Sequence, residues 1–219
     1  TSWHYAMLDA PGELEKLAMD ENNPVFRMVN GGIAYLREKY SDYFLPMVRG
    51  ASGALEMANT LRGNDFFYDF YEEPAVSSRL GTPEDLKALL DYCADALVWN
   101  YEKQMEAAGD VYGGVVTGFG EWLPGRSLGH VSEDTTTMIS LEQFEEFGRP
   151  RTERIFRKFD EVFIHMHALS ERCLASVASL PNIRLMELSS DPNTDRAVEV
   201  WKRSREKLTR VIPVLRLTR

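Results

Sequence analysis

Residues 162–167 read Val-Phe-Ile-His-Met-His, an apolar run that opens abruptly into two histidines, His165 and His167. We interpret this stretch as a strand that ends at the histidines. Side chains two positions apart on a strand point to the same face, so both imidazoles can converge on one metal ion or one substrate group. The stretch therefore predicts a strand end that carries chemistry.

The sequence around this strand alternates between helical and strand patterns. The clearest helical pattern begins at Thr82, a capping residue followed by Pro83 in the first turn and by Asp85 three positions after the cap. Apolar residues then recur at helical spacing up to Ala108, and Gly109 ends the helix. We predict a helix over 82–108.

The remaining pattern predicts four more helices and five strands. The predicted helices cover 54–61, 140–159 with an interruption at Pro150, 170–180 and 194–208. The predicted strands cover 111–117, 128–132, 162–165, 183–188 and 211–217. These apolar runs show little polar alternation, as expected for strands covered by helices.

Repeated strand–helix units predict an α/β fold, a TIM (β/α)8 barrel. Eight units close such a barrel, and this chain supplies about six or seven. We expect residues 1–42 to form a helical or irregular segment packed on a barrel domain over 43–219, whose last units would lie beyond this chain. An open doubly wound sheet is the alternative, although the sequence has no Gly-rich phosphate turn, and no nucleotide cofactor is expected.

Composition narrows the classes of function. The 219 residues are 44% hydrophobic, which suits one domain with a sizeable core. A formal charge of −9 argues against nucleic acid or an anionic membrane as a partner. The chain has no membrane-length apolar run and no leader pattern, so a cytoplasmic location is expected. Cys93 and Cys173 fall in predicted helices without CxxC spacing, and we predict that both are buried thiols.

In a barrel, the carboxyl ends of the strands face one mouth, so position alone selects candidate site residues. They are Arg49, Glu121, Trp122, Glu133, Asp134, His165, His167, Glu187, Ser189, Asp191 and Arg216. Two histidines with several carboxylates are typical of a metal or acid/base site, and Glu121 or Asp134 could supply a third ligand.

Each candidate also has a simpler interpretation. Glu133 and Asp134 could merely precede a helix whose positive end favours acids, and Trp122 could pack as a loop corner. One of the two strand-end histidines could be a core residue bonded to backbone. His4 and His130 are isolated in the sequence, and we assign them no role.

Two motifs resemble the uroporphyrinogen decarboxylase superfamily. The first is Glu133-Asp-Thr-Thr-Thr-Met-Ile-Ser140-Leu-Glu-Gln-Phe144-Glu-Glu-Phe147-Gly-Arg-Pro150, and the second is Phe163-Ile-His165-Met-His167-Ala. The superfamily pairs an acidic strand end and a Met-Ile-Ser helix start with a strand ending in His. The stretch 53–63 with Asp69 and Pro74, and Glu106-Ala-Ala-Gly109, are similar to earlier parts of the family pattern. The resemblance runs from about residue 43 to the C-terminus and implies a TIM barrel.

The resemblance implies two main activities. Decarboxylases of the superfamily remove carboxylates from the acetate arms of a tetrapyrrole, whereas relatives transfer methyl groups between corrinoid proteins and thiols with zinc. The decarboxylases carry an N-terminal Arg-Gln-Ala-Gly-Arg-Tyr signature that this sequence lacks. The methyltransferases use His-x-Cys, where His165 matches and His167 replaces the cysteine. The loop Trp122-Leu-Pro-Gly125 is similar to a branch of the superfamily without a settled reaction.

We therefore expect a zinc-assisted methyltransferase or demethylase that works with a corrinoid partner. The alternatives are a uroporphyrinogen decarboxylase of porphyrin biosynthesis, with a tetrapyrrole substrate, and a non-catalytic ligand-binding barrel. A homodimer is one assembly compatible with these expectations. The expected roles are catalysis by Glu121, Asp134 and His165, substrate binding by Arg49, Trp122 and Glu187, and metal binding by His165, His167 and Glu121.

Overall fold

Five parallel strands form the central sheet of the structure, a computed structural model that describes residues 5–71 and 81–215. These five strands are β1 (Ala51–Ser52), β4 (Leu128–Ser132), β5 (Val162–His167), β6 (Ile183–Ser189) and β7 (Ile212–Val214). Two further strands, β2 (Gly114–Val116) and β3 (Trp122–Pro124), pair with each other in a separate sheet. The helices are α1 (Pro24–Tyr40), α2 (Ala54–Arg62), α3 (Pro83–Ala108), α4 (Leu141–Gln143), α5 (Arg149–Phe156), α6 (Glu171–Ala178) and α7 (Ala197–Ser204). Short 3-10 turns cover Leu14–Lys16, Gly63–Phe67, Asp134–Thr137, Ala168–Ser170 and Arg205–Lys207.

The strand order in the central sheet is β1-β4-β5-β6-β7, and every pairing is parallel. Helices follow β1, β4, β5 and β6 along the chain, as parallel connections require. The α/β prediction is therefore confirmed. Within the described residues β1 and β7 are not paired with each other, so the sheet is open and closure into a barrel is not observed.

The segment predicted as a strand over 111–117 contains β2, which pairs with β3 in a hairpin and does not join the central sheet. Strand β2 pairs with β3 in the antiparallel direction, and only an isolated parallel bridge from Met47 to Val116 links it to the segment before β1. A turn over 117–121 reverses the chain, with Gly120 at a positive φ of 86°. Because the turn lies between two short apolar runs, the sequence pattern alone did not separate a hairpin from a strand followed by a loop.

Local capping signals place two helix starts where the sequence predicts them. Thr82 and Asp85 form a reciprocal capping box at the start of α3, and Ser140 and Gln143 form another at the start of α4. A wide π-helical turn, Phe144–Gly148, lies between α4 and α5, just before Pro150. Proline has no N–H to donate and crowds the preceding turn, so the predicted interruption of this helix is confirmed.

The N-terminal region, expected to be helical or irregular, contains one long helix. It contains the 17-residue helix α1, which Asn23 caps by accepting hydrogen bonds from the backbone N–H groups of Val25 and Phe26. Only Ile33 is buried among its residues, but the Phe26 ring stacks on Trp99 of α3 with centroids 4.6 Å apart. Two adjacent glycines and a sparse apolar pattern weaken the helical pattern within α1. We infer that contacts with α3 stabilise this helix.

Alternate residues of β5 face opposite sides of the sheet, and this alternation positions the histidines. Val162, Ile164 and Met166 belong to the main hydrophobic core, whereas Phe163 packs with Val115 and Leu123 of the β2–β3 hairpin. The two histidines therefore share the face of Phe163, away from the main core.

None of the helices formed by residues 5–71 and 81–215 combines the length and the apolar character needed to cross a bilayer.

Both cysteines are free and buried, which confirms the prediction of buried thiols. Burial raises the pKa of the Cys93 thiol to about 12 and that of Cys173 to about 11. Since the thiolate is the reactive form, we expect Cys93 and Cys173 of the native protein to react only slowly with Ellman's reagent at pH 8. In denaturant, both thiols should react. Rapid labelling of the native protein would contradict this burial.

Candidate metal centre

The two imidazole rings at the end of β5 face each other. The Nε2 atoms of His165 and His167 lie 3.2 Å apart, and the ring planes are almost perpendicular at 87°. Both side chains are partly buried, with 14% and 27% of their surface exposed. The structure thus brings both rings to one face of the strand, with the same ring nitrogen of each directed to a common point.

Asp134 supplies a third atom at this point. It begins the 3-10 turn after β4, and its Oδ1 lies 3.5 Å from the Nε2 atoms of both His165 and His167. The carboxyl group is partly exposed, but Oδ1 itself is shielded from solvent and has no hydrogen-bond partner. Three ligands bound to one tetrahedral zinc at ordinary bond lengths lie about 3.4 Å from one another. The observed triangle has nearly this size.

Carboxylates behind the rings fix which nitrogens carry protons. Glu187 Oε2 lies 3.0 Å from His165 Nδ1, and Asp191 Oδ1 lies 2.6 Å from His167 Nδ1. Asp191 is held in turn by the backbone N–H of Leu169, which donates to its Oδ2 over 2.9 Å. Opposite an ionised carboxylate, which only accepts hydrogen bonds, Nδ1 is the donor, and a neutral ring with that tautomer has its lone pair on Nε2.

With that tautomer in both rings, the triangle has the electrostatics of a cation site. Two Nε2 lone pairs and the Asp134 carboxylate oxygen all point at the same small volume, and their mutual repulsion is relieved when a positive charge lies between them. Histidine rings whose Nδ1–H groups donate to carboxylates are typical of metal ligands, because the second hydrogen bond orients the ring and increases its basicity. The geometry and the electrostatics make this triangle a candidate metal site.

Two further acids support the turn that carries Asp134. Glu133 is fully buried, and burial raises its pKa to about 8. Burial also raises the pKa of Glu56 to about 8, with further contributions from the charges of Asp134 and Glu133. Glu56 Oε1 accepts a hydrogen bond from the backbone N–H of Asp134. With pKa values near 8, both glutamates are mostly protonated at neutral pH, which limits the negative charge around the site.

The buried Glu133 carboxyl lies against Gly53, and this contact gives a testable prediction. A Cβ atom on Gly53 would lie 2.3 Å from Glu133 Oε1 and 2.4 Å from the carboxyl carbon. Because Glu133 is fully buried, a shift of its carboxyl group would disturb the residues packed around it. We expect Gly53→Ala to lower the free energy of unfolding by about 1–3 kcal/mol in urea titrations.

The matched control is Gly31→Ala in α1, where a Cβ atom meets nothing within 4 Å. Alanine favours helix over glycine, so this change should raise stability by up to about 1 kcal/mol. Equal effects of the two substitutions would mean that the Glu133 carboxyl group relaxes away from the added methyl group.

Glu121 does not belong to either group of convergent ligand atoms among the described residues. Glu121 lies in the turn of the β2–β3 hairpin, where Thr117 Oγ1 donates to its Oε2 over 2.7 Å. Among the described residues, the two groups of convergent ligand atoms are Asp134 with His165 and His167, and His130 with His165 and Glu187. Asp134, rather than Glu121, therefore completes the triangle. The sequence did not predict the β2–β3 hairpin, and Glu121 lies in its turn rather than at the end of a strand of the central sheet.

The three expected substrate-binding residues have different environments. Arg49 is exposed, and its backbone N–H donates to Gln104 Oε1. Trp122 is 47% exposed and donates its indole N–H to the Val111 carbonyl oxygen, which agrees with the interpretation as a packed loop corner. Glu187 is only 1% exposed and lies behind His165, so it supports a ring rather than contacting a substrate directly. Arg216, His4 and Pro74 lie outside the described residues.

Sequence reasoning missed the contribution of His130. Its Nε2 lies 3.1 Å from Glu187 Oε2, and the residue is 6% exposed. His130 lies on β4, two residues before Ser132, which pairs in register with His165. Residues two apart share a face only on a regular strand. The register of β4 shifts between Leu128 and Val131, and His130 has a φ of 51°, so the strand pattern could not have predicted its position.

No protein-family model matches this chain, and no curated protein is significantly similar to it. The resemblance to the uroporphyrinogen decarboxylase superfamily therefore rests on the motifs at 133–150 and 163–168.

Proposed function

We propose that this chain is an enzyme of the uroporphyrinogen decarboxylase superfamily with a barrel-type fold. In this proposal it binds one zinc ion through His165, His167 and Asp134 and transfers a methyl group between a corrinoid partner and a thiol. The observation that supports it most strongly is the triangle of Nε2, Nε2 and Oδ1 atoms, with separations of 3.2, 3.5 and 3.5 Å. The open parallel sheet is compatible with part of a barrel.

The donor set fits a zinc ion with room for one more ligand. Two imidazoles and one carboxylate occupy three of the four positions of a tetrahedral ion, and catalytic zinc sites keep the fourth position for water or substrate. Zinc bound here would lower the pKa of a coordinated thiol. The same donor set also suits non-haem iron(II), so the identity of the metal is a measurable part of the proposal.

The protein's own residues have distinct roles in this proposal. His165 and His167 hold the ion on the rigid end of β5, with their rings oriented by Glu187 and Asp191. Asp134 lies on a turn and is the most exposed of the three ligands, so it lies nearest to an incoming substrate. A methylcorrinoid partner would supply the methyl group, and a thiolate held at this site would accept it by forming a C–S bond while the Co–C electron pair would remain with the corrinoid.

The acidic surroundings argue against a tetrapyrrole with many carboxylates as the substrate. Asp134, Glu187 and Asp191 all lie at or directly behind the triangle. A decarboxylase of such a substrate needs arginines there, whereas these acids would repel it.

Elemental analysis tests the proposal first. Protein purified without chelators should contain about one zinc ion per chain, and a His165→Ala, His167→Ala double variant should contain none. Free methylcobalamin with a simple thiol should then yield the methyl thioether and Co(I), which is followed by its absorption spectrum. Iron in place of zinc would change the assignment of the metal. Metal-free, inert wild-type protein would overturn the proposal and favour a ligand-binding barrel.

A further inference from the structure

We propose that His130 is a positioning residue for the metal centre, acting through Glu187 on His165. The inference rests on the proposed function, because its consequence is the affinity of the site for metal. Glu187 Oε2 lies 3.1 Å from His130 Nε2 and 3.0 Å from His165 Nδ1. One carboxylate oxygen thus accepts hydrogen bonds from a ligand histidine and from a histidine that does not reach the triangle.

The His130 ring is held firmly in this position. It packs against Phe119 with centroids 3.8 Å apart and against the edge of Phe163 at 5.1 Å. Gly50 lies so close that a Cβ atom there would be 2.8 Å from the His130 carbonyl oxygen and 3.3 Å from its Nδ1. The surrounding residues therefore leave the ring little freedom to turn its Nε2–H away from Glu187.

The backbone at His130 is also strained. Its φ of 51° lies in the left-handed region, which side chains with a Cβ atom rarely adopt. Strain of this kind persists only where the surroundings enforce it, and such residues are concentrated at functional sites. At this position, the unusual backbone places an imidazole against Glu187.

The physical role of His130 follows from the burial of Glu187. A carboxylate that is 1% exposed has lost most of its hydration and depends on N–H donors in the protein. Two ring donors on one oxygen fix its position, and that oxygen in turn fixes the tautomer and orientation of His165. Removing the His130 donor should loosen His165, and loss of a hydrogen bond behind a metal ligand typically weakens metal binding about 10–100-fold.

A matched pair of substitutions separates the hydrogen bond from the packing. Glutamine at position 130 places an amide N–H near the position of Nε2, whereas methionine has similar length without a donor. We expect His130→Met to weaken zinc binding by about 10–100-fold in chelator competition. His130→Gln should bind zinc with about the wild-type affinity. In a Glu187→Gln background, His130→Met should not lower zinc affinity further, because the carboxylate that links His130 to His165 is already absent.

Other outcomes would overturn the inference. Equal losses in His130→Met and His130→Gln would mean that only packing matters, and unchanged affinity in both would remove any role for His130. Two metal ions per wild-type chain would mean that His130, His165 and Glu187, whose ligand atoms all lie within 4.8 Å, bind a second ion instead.

A measurement without metal keeps this inference separate from the proposed function. Long-range ¹H–¹⁵N spectra of the metal-free protein should show His165 protonated on Nδ1 in the wild type and in His130→Gln. The same spectra should show mixed tautomers in His130→Met. If the wild type bound no zinc, the proposed function would fail, and these spectra alone would decide whether His130 positions His165.

Discussion

Asp69→Ala is expected to lower the free energy of unfolding by about 3–5 kcal/mol. Asp69 is fully buried and forms a bidentate ion pair with Arg62 of α2, with N–O distances of 2.7 and 2.9 Å. The same guanidinium donates to the carbonyl oxygens of Leu8 and Asp9, so it joins the N-terminal segment to α2. Removing Asp69 leaves the Arg62 charge buried without its counter-ion, and such charges are costly away from water.

An exposed pair provides the control for this prediction. Glu153 and Arg157 form a hydrogen-bonded ion pair one helical turn apart, with 32% and 64% of their side chains exposed. Glu153→Ala should cost only about 0.5 kcal/mol, because solvent screens such pairs. Urea titrations of both variants and the wild type would measure the difference. Similar small losses in both variants would show that water or structural relaxation compensates the Arg62 charge.

Local signals explain how much of the fold the sequence could predict. The starts of α3 and α4 depend on residues within one helical turn, so Thr82 and Ser140 are recognised without tertiary information. Helix α1 also has a local start signal in Asn23 and Pro24, but its apolar pattern is sparse, and Phe26 gains its main partner, Trp99, from a helix more than 70 residues away. The β2–β3 hairpin was missed for a similar reason, since antiparallel pairing depends on where the turn closes.

The same distinction applies to the candidate site. The spacing of His165 and His167 is a local property of one strand, and the structure places both Nε2 atoms at one point. The third proposed ligand comes from a different part of the chain. Glu121 lies in the turn of the β2–β3 hairpin and Asp134 in the turn after β4, and the sequence alone does not show which of the two turns lies beside β5. His130 becomes a neighbour of His165 only through the register of β4 with β5, which pairs Ser132 with His165.

Asp134→Ala is expected to weaken zinc binding by about 100-fold. Zinc sites in small proteins bind with about 10–16 kcal/mol shared among four ligands, or about 3 kcal/mol for each ligand. One ligand therefore corresponds to about two powers of ten in affinity. Asp134 is the proposed ligand that does not belong to β5, so its loss leaves the two imidazoles oriented by Glu187 and Asp191 but lowers the charge and number of donors. Competition with a chromogenic chelator measures the change.

Glu121→Ala is the matched control, because it removes the carboxylate that the sequence favoured as a ligand and the structure places on Thr117. It should leave zinc affinity near that of the wild type. Asp134→Asn separates charge from geometry, since the amide oxygen can still reach the ion but brings no negative charge, and it should lie between alanine and the wild type. If Glu121→Ala lost affinity and Asp134→Ala did not, the hairpin would have to move on metal binding and bring Glu121 to the histidines. Because Glu187 and Asp191 position His165 and His167, such a result would identify Glu121 as the third ligand and would keep both histidines as ligands.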